Sequence, residues 1–346
     1  MNFTREQDEL RSAVRAVLTR HEDAAAWGPL TEAVGAAGLG VPEEYGGYGG
    51  GTVETYVVME ELGPALSPVP YLASTVLATQ ALLASGNAQA CAELLPELAD
   101  GTAVGALAWA ENGSWEPEAM HARVRAGRLT GVKEHVLTGP GRPDTLLVLA
   151  QGDDGLALYQ VRDTQGEFTP LPTMDQTRPQ ARVTFDGTQD AELIAADGER
   201  ILSRVRDLAC TALAAEQTGA ATRALADTIQ YAKDRVQFGR PIGSFQAVKH
   251  RIADLHVQLE AARSLALAAA HSNAAPHLAA AAKAACSQAY THIAGEMIQL
   301  HGGIGITWEH EAHRHLKRAH SGRHLFGTPS AHRQRLADRL GLTSVA

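Results

Sequence analysis

The sequence predicts a mostly α-helical protein with a β domain in its middle, and three observations carry that prediction. Apolar residues recur at helical spacing between Leu10 and Leu98, the texture changes to short β-type runs near Gly101, and long helical segments resume from about Ile194. The helical stretches are rich in Ala and Leu, which are strong helix formers, whereas Gly- and Pro-containing turns punctuate the β-type runs. The expected organisation is an N-terminal helical domain over 1–100, a small antiparallel β-barrel or sandwich over 101–193, and a C-terminal four-helix bundle over 194–346.

Each element has a local reason. Thr4-Arg5-Glu6-Gln7 is a capping-box pattern that opens an amphipathic helix with Leu10, Val14, Val17 and Leu18 on one face. Leu30, Val34 and Ala37 mark a second helix ended at Gly38, and helical pattern returns over 53–62, 74–83 and 90–98. The β-type runs are 104–109, 145–150, 156–161 and 182–185, separated by turn chemistry at 139–143 and 152–155. No long helix fits between them. The C-terminal helices are expected over 203–235, 246–272, 278–301 and 309–325, joined by short loops as in an antiparallel bundle.

Composition excludes several function classes. The chain has 30 Lys+Arg against 39 Asp+Glu, a net charge of −9, which argues against nucleic acid as the main partner. Its three cysteines, Cys91, Cys210 and Cys286, are too few and too scattered for a disulfide framework or a thiolate metal site. No apolar run approaches the roughly 20 residues of a membrane span, so a cytoplasmic protein without membrane contact is expected. The glycine run 46–51 does not complete a G-x-G-x-x-G loop, because Thr52 stands where glycine is needed; it reads as a connection between helices. Of 15 histidines, seven fall between His301 and His332. His310 and His313 are one residue short of the i,i+4 spacing of a zincin, and His320 with His324 has no acidic third ligand nearby. Helix faces and interface contacts are their expected use, with no metal bound.

Two corners carry more specific chemistry. In Tyr231-Ala232-Lys233-Asp234-Arg235-Val236-Gln237-Phe238-Gly239-Arg240-Pro241-Ile242-Gly243-Ser244-Phe245-Gln246, a long helix ends and a Pro-containing turn leads into the next. Arg235 offers a planar fork to a pyrophosphate, Phe238 a face to an adenine and Gln246 an amide to a polar edge. In Gln299-Leu300-His301-Gly302-Gly303-Ile304-Gly305, glycines directly after a helix let backbone approach a ligand closely. On the residues alone, both segments also read as plain helix–turn–helix corners.

These two segments resemble the carboxy-terminal signatures of the acyl-CoA dehydrogenase family of flavoenzymes. The likeness extends to Leu39-Gly40-Val41-Pro42-Glu43-Glu44-Tyr45-Gly46-Gly47 with Glu60-Glu61-Leu62-Gly63, and to Gly127-Arg128-Leu129-Thr130-Gly131-Val132-Lys133 with 144–150. It implies an acyl-CoA substrate, FAD as cofactor and an electron-transfer acceptor protein. It also implies that Arg235, Phe238, Gln246, Gln299, Gly302 and Gly303 grip the ADP half of a FAD bound mainly to a neighbouring subunit. The implied reaction is α,β-dehydrogenation: a carboxylate removes the α-proton and the β-hydrogen leaves as hydride to the flavin.

The departures from the family pattern fall on that carboxylate. Phe326 in Leu325-Phe326-Gly327-Thr328 stands where most members carry the base Glu, and Ala209 stands where a minority carry it. Glu216, on the same helix as Ala209, is the remaining candidate. In the flavin-contacting segments, Leu107-Ala108-Trp109-Ala110-Glu111-Asn112-Gly113-Ser114 keeps part of the pattern, and His135-Val136-Leu137 replaces a Trp-Ile-Thr stretch. The chain thus resembles the short, base-less subunit of heteromeric α2β2 acyl-CoA dehydrogenases of actinobacteria, whose homologous partner subunit brings the Glu. Steroid side-chain and other bulky acyl-CoA thioesters are the substrates this implies. A self-sufficient homo-oligomer using Glu216 and a flavin-free assembly subunit are the alternatives.

Overall fold

The computed structural model describes residues 3–161 and 167–342 of the chain. Contacts divide it into two compact units, Thr4–Thr55 with Pro68–Ala209, and Met1–Phe3 with Tyr56–Ser67 and Cys210–Ala346.

The first of these holds the early helices and the sheet. Helix α1 (Arg5–Arg20) opens with the expected capping box: Gln7 N–H donates to Thr4 Oγ1 at 3.3 Å and Thr4 N–H to Gln7 Oε1 at 3.0 Å. After α2 (Trp27–Glu32), the glycine run folds back on the preceding segment: Gly47, Gly49 and Gly50 donate to the carbonyls of Pro42, Val41 and Leu39. A Cβ on Gly47 would sit 2.1 Å from Val41 O, so glycine is required by packing there. These amides are engaged within the turn and have none to offer a phosphate. Helix α3 (Thr52–Leu62) follows; Leu72–Ala78 then runs as a π-helix into α4 (Thr79–Ser85), and α5 (Ala88–Asp100) is capped by Asn87 Oδ1 on Ala90 N–H.

Seven strands follow: β1 (Gly105–Ala108), β2 (Arg123–Arg125), β3 (Arg128–Leu137), β4 (Thr145–Gly152), β5 (Gly155–Val161), β6 (Glu167–Pro170) and β7 (Gln180–Ala195). The pairings β4–β5, β5–β7, β7–β3, β3–β2 and β2–β4 close on themselves as a barrel, with β1 added to β4 and β6 to β7. The sheet is mixed, not purely antiparallel as the sequence suggested, because β1 and β2 both run parallel to β4. The excursion through 109–144 is long enough to bring the chain back in the same direction, which a hairpin cannot do. Ala106, Leu129, Leu146, Val148, Tyr159, Val183 and Phe185 fill the core. The β3–β7 register slips at a bulge between Lys133 and Val136, where His135 adopts φ +52°.

Helix α6 (Gly198–Asp234) begins in this unit and continues through the second. There it leads to the hairpin β8 (Val236–Gln237) and β9 (Arg240–Pro241), and then to α7 (Gln246–His271), α8 (Pro276–His301), α9 (Ala312–His324) and α10 (Pro329–Arg339). The fifth helix, α10, lies beyond the four expected. Its start was written in Thr328-Pro329: the Thr328 hydroxyl accepts from Ala331 N–H at 3.2 Å and proline fits the first helical position. The bundle core is Ala220, Ala221, Ala224, Leu255, Leu259, Tyr290, Ile293, Ala294 and Met297. Small residues permit one very close crossing, since a Cβ on Gly219 would lie 1.9 Å from Glu60 O. Among the described residues no helix is long and apolar enough to cross a membrane.

Candidate functional site

The hairpin after α6 is built around two residues in left-handed backbone. Phe238 (φ +54°) and Gly239 (φ +75°) form the two-residue loop between β8 and β9, the conformation of a type I′ turn. Glycine adopts it freely; a phenylalanine pays roughly 1–2 kcal/mol for it. Phe238 is nevertheless 93% exposed, so its own burial does not offset the strain. The strain is carried by a side chain that stands on a turn tip. Phe238 meets Phe245 edge to face at 6.3 Å, and the Arg240 guanidinium lies 4.0 Å from the Phe245 ring centre. Arg235 and Gln246 flank the hairpin, both exposed, and Ile242 N–H donates to Arg235 O.

The second corner sits at the C-terminal end of α8. Gly302 takes φ +63° with ψ −141°, a conformation essentially reserved for glycine, and a Cβ on Gly302 or Gly303 would meet nothing within 4 Å. The backbone there is open to an incoming group. Gln299 is exposed one turn earlier. The structure joins the two corners directly: Tyr231, four residues before Arg235 on α6, stacks on His301 at 4.2 Å and donates its hydroxyl to His301 O at 3.3 Å.

The loop 325–328 is arranged in the opposite sense. Phe326 also has a positive φ, +61°, but is buried to 1%. Its carbonyl accepts from His332 Nε2 at 3.0 Å, which fixes the tautomer, and His332 Nδ1 is free to accept from Arg335 at 3.3 Å. Cys210 Sγ lies 3.7 Å from the same Nε2. The fully buried Lys283 donates to Gly327 O at 3.3 Å, to Arg323 O at 3.1 Å and to Ser287 Oγ at 3.0 Å, and Ser287 continues to Gln217. Two buried cationic or polar side chains thus tie the loop by its carbonyls and leave an apolar ring at its tip. Ala209, on α6, is fully buried and offers only a methyl group.

Glu216 is held by a partner from 102 residues away. Arg318 on α9 makes a bidentate pair with it, Nε to Oε1 at 3.0 Å and Nη2 to Oε2 at 3.1 Å, and Nη2 also donates to Ser67 O. Both side chains are almost completely excluded from solvent. A carboxylate engaged through both oxygens by a guanidinium is stabilised as the anion, which makes it a weaker proton acceptor.

In the barrel, Glu111 and Lys133 form a buried ion pair. The Glu111 carboxylate also accepts from the backbone N–H of His121 at 2.7 Å and of Ala122 at 3.1 Å, so it is a structural tie for the 111–122 loop. Burial pulls the Lys133 ammonium down to about 8, against the opposing pull of Glu111. Trp109 meets Trp115 edge to face at 5.3 Å, and Trp115 stacks on His135 at 6.1 Å. Leu137 is buried. The histidine-rich stretch resolves into several contacts: His315 with Tyr290, His301 with Tyr231 and His310, His313 with Trp308 and His332 with Phe326. Among the described residues no three His, Cys, Asp or Glu side chains converge on a common point.

Two family models match the chain, the acyl-CoA dehydrogenase N-terminal domain over 4–102 and the acyl-CoA dehydrogenase C-terminal domain over 201–341. The acyl-CoA dehydrogenase IpdE2 of Mycobacterium tuberculosis is 42% identical over 320 residues, spanning 92% of this chain and 88% of that protein. The chain belongs to the acyl-CoA dehydrogenase family. The acyl-CoA dehydrogenase IpdE2 of Mycolicibacterium smegmatis is 37% identical, covering 96% of this chain and 98% of that one. In structure, the chain is similar to the ChsE4–ChsE5 complex from Mycobacterium tuberculosis, with TM-score 0.89, 28% identity and 99% of each chain covered. It is also similar to the Tcur3481–Tcur3483 steroid ACAD, with TM-score 0.86, 31% identity, and 97% and 98% covered.

Acyl-CoA dehydrogenases are FAD-dependent flavoproteins, and the residues of this family member fit that cofactor unevenly. At the two corners the donor set suits the ADP half: an exposed guanidinium, an exposed aromatic face, two amides and a glycine turn with open space above it. In the barrel, Leu137 brings no hydroxyl to the segment expected to face the flavin ring, and Glu111 is occupied with Lys133. Sequence reasoning named six candidate cofactor contacts, Arg235, Phe238, Gln246, Gln299, Gly302 and Gly303, but not Tyr231, His301, Lys283, Arg318 or His332. His301 lay inside a quoted motif and Tyr231 one turn before Arg235; Arg318 and Lys283 gave no local signal.

Proposed function

We propose that this chain is the base-less subunit of a heteromeric FAD-dependent acyl-CoA dehydrogenase that introduces a double bond between the α- and β-carbons of an acyl-CoA thioester. FAD supplies the hydride acceptor. Arg235 and the backbone of Gly302 and Gly303 hold the pyrophosphate, Phe238 faces the adenine, and Gln246 and Gln299 bond polar edges of the ADP half. A homologous partner subunit brings the catalytic Glu. Electrons leave to an electron-transfer acceptor protein, and the acyl group is a bulky, steroid-derived one.

One observation carries this reading. Both family positions for the base are apolar and buried, Phe326 at 1% and Ala209 at 0%, while the cofactor-gripping corners are exposed and conformationally prepared. Glu216 is committed to Arg318, which weighs against the homo-oligomeric alternative with Glu216 as base. The similarity to the ChsE4–ChsE5 complex supports a paired assembly, and the Tcur3481–Tcur3483 steroid ACAD supports the substrate class. The test is purification of this chain alone and with a co-expressed Glu-bearing homologue. The pair is expected to carry FAD and oxidise acyl-CoA with an artificial acceptor. A yellow, active chain in isolation overturns the proposal.

A further inference from the structure

His301 lies at the centre of a three-ring column. On one side it stacks on Tyr231 of α6 (4.2 Å, 29° between planes), and on the other it meets His310 (4.3 Å, 49°), in the segment that leads into α9. Its Nδ1 lies 2.7 Å from the carbonyl oxygen of Met297. A carbonyl can only accept, so Nδ1 carries the proton and Nε2 of the neutral ring is a bare lone pair. That Nε2 is buried and has no hydrogen-bond partner. A proton placed on it would become a buried donor with nothing to receive it, and would put charge against the His310 ring.

Both cofactor corners hang from this column. Tyr231 is one helical turn from Arg235 and the hairpin, and His301 directly precedes Gly302 and Gly303. We propose that His301 is a positioning residue that locks the Arg235–Phe238 hairpin and the Gly302–Gly303 turn into one cofactor-gripping surface, and that its protonation unlocks them. The inference rests on the reading that these corners hold the ADP half of FAD. The groups facing the ring are Tyr231 and Asp227 from α6 and His310 from the following segment. Burial holds His301 below the ordinary histidine range and His310 lowers it further, while the Met297 carbonyl and Asp227 pull the other way. Asp227 is itself paired with Arg223. The neutral, stacked form is therefore the one present near neutral pH, and acid loosens the grip.

The test measures FAD retention by the purified complex, through the fluorescence of released FAD, from pH 8.5 to pH 5.5. The native complex is expected to lose affinity about tenfold across that range. His301→Phe keeps a ring between Tyr231 and His310 and cannot titrate; it is expected to bind within about threefold of native at pH 8 and to lose the acid-induced release. His301→Ala removes the ring and is expected to weaken retention about tenfold at every pH. Thermal melts of each variant establish that it is folded. A His301→Phe complex that releases FAD with the native pH profile, or a His301→Ala complex with native affinity, overturns the inference. Arg235→Ala separates the two levels: it should weaken retention at all pH values and keep the acid release. If Arg235→Ala leaves retention unchanged, the assignment of these corners to FAD falls, whatever His301 does.

Discussion

Two phenylalanines of the second unit share a backbone conformation and nothing else. Phe238 (φ +54°) stands 93% exposed on a hairpin tip, and Phe326 (φ +61°) is 1% exposed in a loop tied by Lys283 and His332. A bulky side chain in the left-handed region is strained wherever it occurs, so surrounding interactions must hold it. For Phe326 that compensation is visible in its burial and in two carbonyl hydrogen bonds. For Phe238 the hairpin ladder holds the turn, and the ring itself gains little. On the proposed reading, the strained but exposed ring is kept for a ligand, whereas the strained and buried ring forms a closed wall. The hairpin tip of this unit is displayed, and the 325–328 loop is sealed.

Substituting each phenylalanine by glycine breaks the comparison most sharply, because backbone relief is common to both and burial is not. Phe326→Gly should destabilise the protein by about 3–5 kcal/mol in denaturant unfolding, since the cavity outweighs the relief. Arg318→Met should cost a similar amount, about 3–5 kcal/mol, because it leaves Glu216 buried and uncompensated. Glu216→Gln provides the functional counterpart: turnover of the assembled enzyme should stay within about threefold of native, whereas loss of a catalytic base costs at least about a hundredfold. Abolished turnover in a folded Glu216→Gln complex would restore Glu216 as the base.

A smaller effect is expected from pH. His315, buried against Tyr290, is held neutral, with its pKa pulled down to about 3 chiefly by burial and further by Arg223 and Arg314. Its folded value lies below the ordinary 6.5, so the unfolded chain takes up the proton first as pH falls. The stability it contributes is present above pH 6.5 and is lost progressively between pH 6.5 and about 3. At pH 5.5 that loss is on the order of 1 kcal/mol, and His315→Gln should show a correspondingly smaller drop in unfolding free energy between pH 7.5 and 5.5. Smallest of all, Phe238→Gly should raise stability by about 0.5–1 kcal/mol, strain relief offset in part by the entropy of an unfolded glycine. The same variant should weaken FAD retention. A destabilised Phe238→Gly would show that the ring packs in the folded chain and is not held out for a ligand.

The sequence by itself determined the order of the elements and the places of the two corners. Helical periodicity, a capping box at Thr4 and turn residues around the β runs are short-range signals, and short-range sterics and hydrogen bonding decide them. The turns that carry Phe238, Gly239, Gly302 and Gly303 were legible for the same reason, while the cofactor roles proposed for Arg235, Phe238, Gly302 and Gly303 came from the family resemblance. Strand direction was not legible, because β1 and β4 pair across the 109–144 excursion and alternation does not encode the sense of pairing. Nor was the fate of the charged residues. Glu216 reads as a candidate base until α9 brings Arg318 to it, and Lys283 gains a role only where the carbonyls of Arg323 and Gly327 close over it. Whether a buried charge is a reagent or a tie depends on what faces it, and only tertiary structure brings residues 40 or 102 positions apart into hydrogen-bonding range.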